Sequence, residues 1–229
     1  MNTLFNFGDV YKDFSVIARE ILPHGFNVLK VPITNTPVYF DDSIQIVSAC
    51  YGAALVKDAL IGLNFLGRLK KEDTIIGLGS NGSLKEKIKL NDLLVPSYIS
   101  CEYYGNAGRV FLPDYKIMKS IKKNIENRNL KVKEYNHGSV YAVFDEHTNH
   151  KNYTNSLYPA GEVDCIDCSE SYILAKFARE NGLSFGILLY ASDDPKNHIA
   201  NLKKEEFDKR ALNFDLLLNK IGYEVLNNK

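Results

Sequence analysis

Neither sign of charge dominates this sequence: lysine plus arginine and aspartate plus glutamate number 28 each, for a net charge of zero. Attraction to nucleic acid or an anionic membrane through the overall field needs an excess of basic charge, so neither is an expected partner. Long apolar runs are also lacking, and those present are too short or too interrupted to span a bilayer. The opening MNTLFNFGDVYKDF has neither the basic start nor the long apolar stretch of a secretory signal, and a cytoplasmic location is expected. Cysteine is scarce: Cys50, Cys101, Cys165 and Cys168 in 229 residues make no disulfide framework. Internal repeats, low-complexity tracts and long Pro/Gly/Ser linkers are missing as well. One domain over residues 1–229 is expected, with 45% hydrophobic residues to build its core.

What is present alternates between strand and helix patterns. IQIVSAC (44–50), DTIIGLG (73–79), NDLLVPSYIS (91–100), HGSVYAVFD (137–145) and SFGILLYAS (184–192) read as strands, with Pro96 marking an edge or a bulge. Residues 51–69 read as a helix that is apolar almost all round and therefore buried. Residues 114–129 form an amphipathic helix pattern with Ile117, Ile121 and Ile125 on one face and solvated lysines opposite. SESYILAKFAREN (169–181) reads as a helix stopped by Gly182, and 203–226 as a closing amphipathic helix. Buried strands alternating with helices predict an α/β fold, a three-layer sandwich with a mixed central sheet flanked by helices.

The stretch IIGLGSNGSL (75–84) contains Gly77, Gly79 and Gly82 as G-x-G-x-x-G. A dinucleotide site needs a strand, a tight glycine turn and a helix whose N-terminus faces the pyrophosphate. The strand is there. The helix is not, because SLKEKIKLNDLLVP allows at most two turns, and no acidic residue ends a second strand about 20 residues on. Glycines that let a strand end turn sharply explain the pattern better.

A different match accounts for more of the chain. GSNGSLKEKIKLNDLLVP resembles the nucleoside phosphorylase family, which includes purine nucleoside and uridine phosphorylases and the methylthioadenosine and AMP nucleosidases. Gly79, Ser80, Gly82, Leu84 and Asp92 match its Gly-Ser-x-Gly turn and following Gly-Asp, with Asn91 in the place of glycine. FGDVYKDFSVIAREIL resembles the family's opening loop and helix, with Val10 and Lys12 replacing proline and arginine. HGSVYAVFD resembles its base-stacking strand. DCSESYILAKFARENGLSFGILLYASDDP resembles its strongest signature, a glutamate-bearing helix followed by a strand that ends in Ser-Asp.

The resemblance implies a site and a reaction. Cleaving an N-glycosidic bond makes the ribose oxocarbenium-like and sends the base away with negative charge. Asp193 is implied as the acid that protonates the base, and its apolar strand supplies a desolvating wall that favours the protonated form. Glu170 would grip the ribose hydroxyls, with Ser169 and Ser192 beside the substrate, and Tyr141 would form the aromatic floor. Gly8, Lys12 and Ser80 would hold phosphate. Read from the residues alone, Asp193 is better explained as a helix N-cap or turn residue in SDDP, while Glu170 also reads as a first-turn helix glutamate and Tyr141 as an ordinary strand tyrosine.

Phosphorolysis to free base and ribose 1-phosphate is the expected reaction, with inorganic phosphate as co-substrate and no cofactor. Hydrolysis by water and a non-catalytic nucleoside-binding protein are the alternatives. The family's second phosphate arginine stands two residues before its Gly-Ser, where this sequence has Gly77. Lysine at 12 offers a point charge instead of a bidentate fork. Cys168 and Ser169 replace an acidic-Met pair beside the sugar glutamate. The pair in CIDC (165–168) has no second pair near it, and DEHTNH (145–150) reads as a polar loop, so no metal is expected. The family assembles its site across a two-fold axis, which implies a homodimer or homohexamer. Residues 24–40, apolar and loop-like, fall where family members cap a neighbour's site.

Overall fold

The structure is a computed structural model and describes residues 1–8, 11–49, 52–83, 85–100, 110–139, 164–167, 169–193 and 203–228. Among them, ten strands form one mixed sheet: β1 (Asn2–Phe7), β2 (Asn27–Lys30), β3 (Pro37–Phe40), β4 (Ile44–Ser48), β5 (Thr74–Ser83), β6 (Leu93–Ser100), β7 (Val110–Phe111), β8 (Val132–Ser139), β9 (Cys165–Asp167) and β10 (Ser184–Asp193). The helices are α1 (Phe14–Ile21), α2 (Ala53–Phe65), α3 (Tyr115–Glu126), α4 (Glu170–Asn181) and α5 (Lys204–Asn227).

Strand β5 lies at the centre of this sheet. It pairs parallel with β1 along its first half and parallel with β10 along its whole length. Its end, Gly82–Ser83, pairs antiparallel with β9. β9 pairs with β8, β8 with β6, and β6 with β10. Strands β5, β10, β6, β8 and β9 therefore close into a ring. From β5 the remaining strands extend as a flap in the order β1, β4, β3, β2.

Successive residues of each central strand feed two cores. Phe5, Ile75, Ile187 and Leu189 face α2 and α4, packing with Val56, Leu60, Leu174 and Ala178. Leu4, Ile76, Leu188 and Tyr190 face α1, α3 and α5, packing with Ile17, Ile121, Leu218 and Ile221. Burial on both faces is why these strands read as unbroken apolar runs rather than alternating ones. Asp114 caps α3 by accepting from the Lys116 and Ile117 amides, and Gly182 ends α4 in a left-handed turn at φ 68°. Pro96 sits at a register shift between β6 and β8, so it marks a bulge.

Three expectations differ from the fold. Residues 24–40, expected as loop, contain the hairpin β2–β3. The strand placed at 137–145 begins earlier, at Val132, because Val132–Gly138 pairs with β6. The glycine stretch does not turn sharply, since β5 runs straight through Gly77, Gly79 and Gly82. Its glycines serve close packing: a Cβ at Gly79 would collide with the Phe7 carbonyl of the neighbouring strand.

Candidate active site

Parallel strands β1, β5 and β10 end on the same side of the sheet. Phe7 is in register with Gly79, and Asp193 with Gly82. Ligands of open α/β sheets gather outside the carboxyl ends of such strands. Here those ends present Gly8, Ser80, Ser192 and Asp193, which the structure brings together. Gly8 has a φ of +79°, and a Cβ there would stand 2.7 Å from the Ser80 hydroxyl and 3.3 Å from the Ser80 amide. The Ser192 hydroxyl donates to the Asn81 carbonyl at 3.2 Å. Asp193 is placed by its backbone, just beyond a register shift in the β10–β5 ladder.

The backbone at Tyr11 is tied to α5. Asp215, 2% exposed, accepts a hydrogen bond from the Tyr11 amide at 2.7 Å. One helical turn on, Asn219 exchanges side-chain hydrogen bonds with Asn6, which also donates to the Val47 carbonyl. Arg210 reaches from the same helix to the end of β10, donating to the carbonyls of Ala191 and Ser192 at 2.9 and 3.1 Å. Its guanidinium lies 5.6 Å from the centre of the Tyr190 ring, which stacks on Phe214. Lys12 is 67% exposed and pairs with Asp208 of α5 at 3.6 Å.

Glu170 opens α4 and is 1% exposed. Its Oε1 accepts from the Gly52 amide, 2.8 Å away, at the start of α2, so the carboxylate sits at a helix N-terminus where negative charge is favoured. Ser169, fully buried, is the N-cap residue of α4, with a left-handed backbone (φ 69°) and no side-chain cap bond. The cap comes from Asp167, whose two carboxylate oxygens accept from the Ser169 and Ser171 amides. Nearby, Asn81 donates to the Tyr135 hydroxyl at 3.5 Å. Burial, then the Cys165 and Asp167 charges, push the Tyr135 phenol well above its ordinary range.

Gly77 faces an apolar wall. A Cβ there would lie 2.9 Å from the Phe7 ring and 3.3 Å from Leu174. A larger side chain at the position of the expected phosphate arginine thus has no room.

Tyr141, Cys50, Cys101, Cys168 and residues 145–150 lie outside the described residues. Asp167, Asp215 and Arg210 were not anticipated. Asp167 carried one signal, an acidic residue just ahead of a helix start. For Asp215 and Arg210 no signal exists, because they meet the site only through the packing of α5. Among the described residues no helix is long and apolar enough to cross a membrane.

No curated protein matches the chain by sequence. Solved structures do match it by shape. A futalosine hydrolase mutant of Helicobacter pylori superposes with a TM-score of 0.75 at 12% identity, covering 100% of both chains. The 5'-methylthioadenosine/S-adenosyl homocysteine nucleosidase of Campylobacter jejuni gives 0.76 at 13% identity, again over 100% of both. The purine nucleoside phosphorylase of Toxoplasma gondii, solved with immucillin-H, gives 0.71 at 14% identity over 100% of this chain and 92% of that one. These likenesses establish the fold. A sequence model of the phosphorylase superfamily matches residues 44–221, a span that runs from β4 to α5 and takes in Ser80, Glu170 and Asp193, and the chain therefore belongs to the phosphorylase superfamily.

Proposed function

We propose that this protein is a purine nucleosidase that uses water, rather than phosphate, to cleave the N-glycosidic bond. The C1′–N bond breaks as Asp193 gives its proton to the departing base. Water forms the new C1′–O bond and loses a proton to solvent, from which Asp193 is reprotonated, leaving free base and free ribose. Glu170 holds the ribose hydroxyls as positive charge grows on the sugar, and Tyr141 supplies the floor for the base. Ser80 and Ser192 line the sugar end at the strand termini.

One observation carries the choice of water. The Cβ direction of Gly77 points at Phe7 and Leu174, so apolar side chains stand where a phosphorolytic site would need an arginine fork. Each charge-assisted bond from such a fork is worth about 1.5–3 kcal/mol. Its loss lowers phosphate affinity by roughly one to two orders of magnitude. Lys12, paired with Asp208, does not replace the fork's planar geometry. Nucleosidases and a phosphorylase share this fold, so the fold is compatible with water as the nucleophile without deciding between them.

The test incubates a panel of purine nucleosides with the protein, with and without millimolar phosphate. Free base and free ribose at equal rates in both tubes are expected. Ribose 1-phosphate formed only with phosphate would make the reaction phosphorolysis. Binding without release of base would make the protein a nucleoside-binding one.

A further inference from the structure

We infer that Asp167 positions Glu170 for the sugar and so sets nucleoside affinity without touching the substrate. This rests on the reading of Glu170 as the ribose-binding residue. The first amides of a helix need acceptors, which are usually supplied by the residue at the N-cap. Here that residue is Ser169, and its buried hydroxyl makes no hydrogen bond among the described residues. Asp167, two residues earlier, supplies both acceptors: Oδ1 takes the Ser169 amide at 3.0 Å and Oδ2 the Ser171 amide at 2.8 Å. The two bonds bracket Glu170 on either side in the chain.

Asp167 is itself held firmly. It is 6% exposed and ends β9, a strand paired on both edges. It is in register with Ser139 of β8, and the preceding Ile166 with Gly82 of β5. The start of α4 therefore hangs from the same strand end that carries Ser80 and Gly82. Left-handed backbone at a non-glycine residue persists only where its surroundings over-determine it. At Ser169 the Asp167 carboxylate provides that constraint. Glu170 must also reach the Gly52 amide at the start of α2, which packs against α4. A shift of the α4 start would move the carboxylate off both the Gly52 amide and the ribose, and displacements near 1 Å cost binding and rate steeply. Asp167 acts through Glu170, which makes it a positioning residue.

Calorimetric binding of formycin A and formycin B tests this. These are nucleosides whose bases are joined to ribose by an uncleavable carbon–carbon bond, and adenine and hypoxanthine serve as sugar-free controls. Asp167→Ala is expected to weaken formycin binding by about tenfold while base binding stays within about twofold. Asp167→Asn keeps one acceptor and should lose less. In a Glu170→Ala background, Asp167→Ala should change formycin binding by less than about twofold, because the group it positions is gone. Equal losses for nucleoside and base would overturn the inference, as would a full loss that survives Glu170→Ala, or no loss at all. If Asp167→Ala does not fold, Asp167→Asn and Asp167→Ser carry the same comparison. Formycin binding that is absent in the wild type, or indifferent to Glu170→Ala, would instead overturn the reading of Glu170 itself.

Discussion

Gly8 and Ser80 stand so close that a methyl group on Gly8 would lie 2.7 Å from the Ser80 hydroxyl. The contact joins the end of β1 to the second half of β5. It explains why position 8 is glycine twice over, by space and by a φ of +79°. Gly8→Ala should destabilise the protein by about 1–2 kcal/mol from the backbone alone, with the clash added to that. Adding Ser80→Ala should recover the clash and leave the backbone cost. Urea midpoints of the three variants measure both parts, and full recovery by Ser80→Ala would show that the left-handed backbone costs nothing.

Phe7 and Gly77 make a second pair. Gly77→Ala should cost about 1–3 kcal/mol, because its methyl would press on a fully buried ring. Phe7→Leu removes the ring atoms that would be struck. The double variant should then be more stable than the sum of the two single changes predicts. Strict additivity in chemical denaturation would mean the ring is not what excludes a side chain at 77.

Asp193→Asn should lower turnover by about 10²–10⁴ on nucleosides with poor leaving groups while the substrate still binds. Release of free base, followed spectroscopically, measures the effect. Unchanged turnover in a folded Asp193→Asn protein would remove Asp193 from the role of acid.

Asp215 of α5 holds the backbone at Tyr11. Asp215→Ala leaves the Tyr11 amide without this acceptor, at a cost of about 1–3 kcal/mol. The Tyr11 amide should then exchange with deuterium faster than amides of the β5 core. Asp215→Asn, which retains an acceptor oxygen, should show the smaller change. Equal exchange in all three proteins would mean the Tyr11 amide is protected by other contacts.

Cys165 is fully buried, and burial, followed by the charge of Asp164, pushes its thiol well above the ordinary range. Thiolate is the reactive form, so this cysteine should stay silent towards Ellman's reagent in the native protein at mildly alkaline pH. Cys165→Ser should leave the native thiol count unchanged and lower the count in denaturant by one. A drop in the native count would show that the site opens.

Much of this protein was legible from local pattern. The run of β10 from Ser184 and the stop of α4 at Gly182 follow from apolar burial and backbone preference, which act over a few residues. The order of motifs likewise singled out Ser80 and Ser192, whose strands β5 and β10 run side by side in the sheet. The short strands β2 and β3 escaped because four residues carry too little periodicity to separate strand from loop.

The amino-acid sequence by itself determined the alternation of elements, the α/β class and the family to which the chain belongs. Those properties depend on side-chain type and spacing along the chain. Only the tertiary structure decided that β5 would run on through its glycines and close a ring with β9 and β10. It also decided that Phe7 would fill the space beside Gly77, that Asp167 would cap α4 and that Asp215 would accept from the Tyr11 amide. These outcomes join residues distant in sequence, such as Tyr11 with Asp215 and Gly52 with Glu170. Their energies come from burial and paired hydrogen bonds that exist only once the sheet has brought the strand ends together.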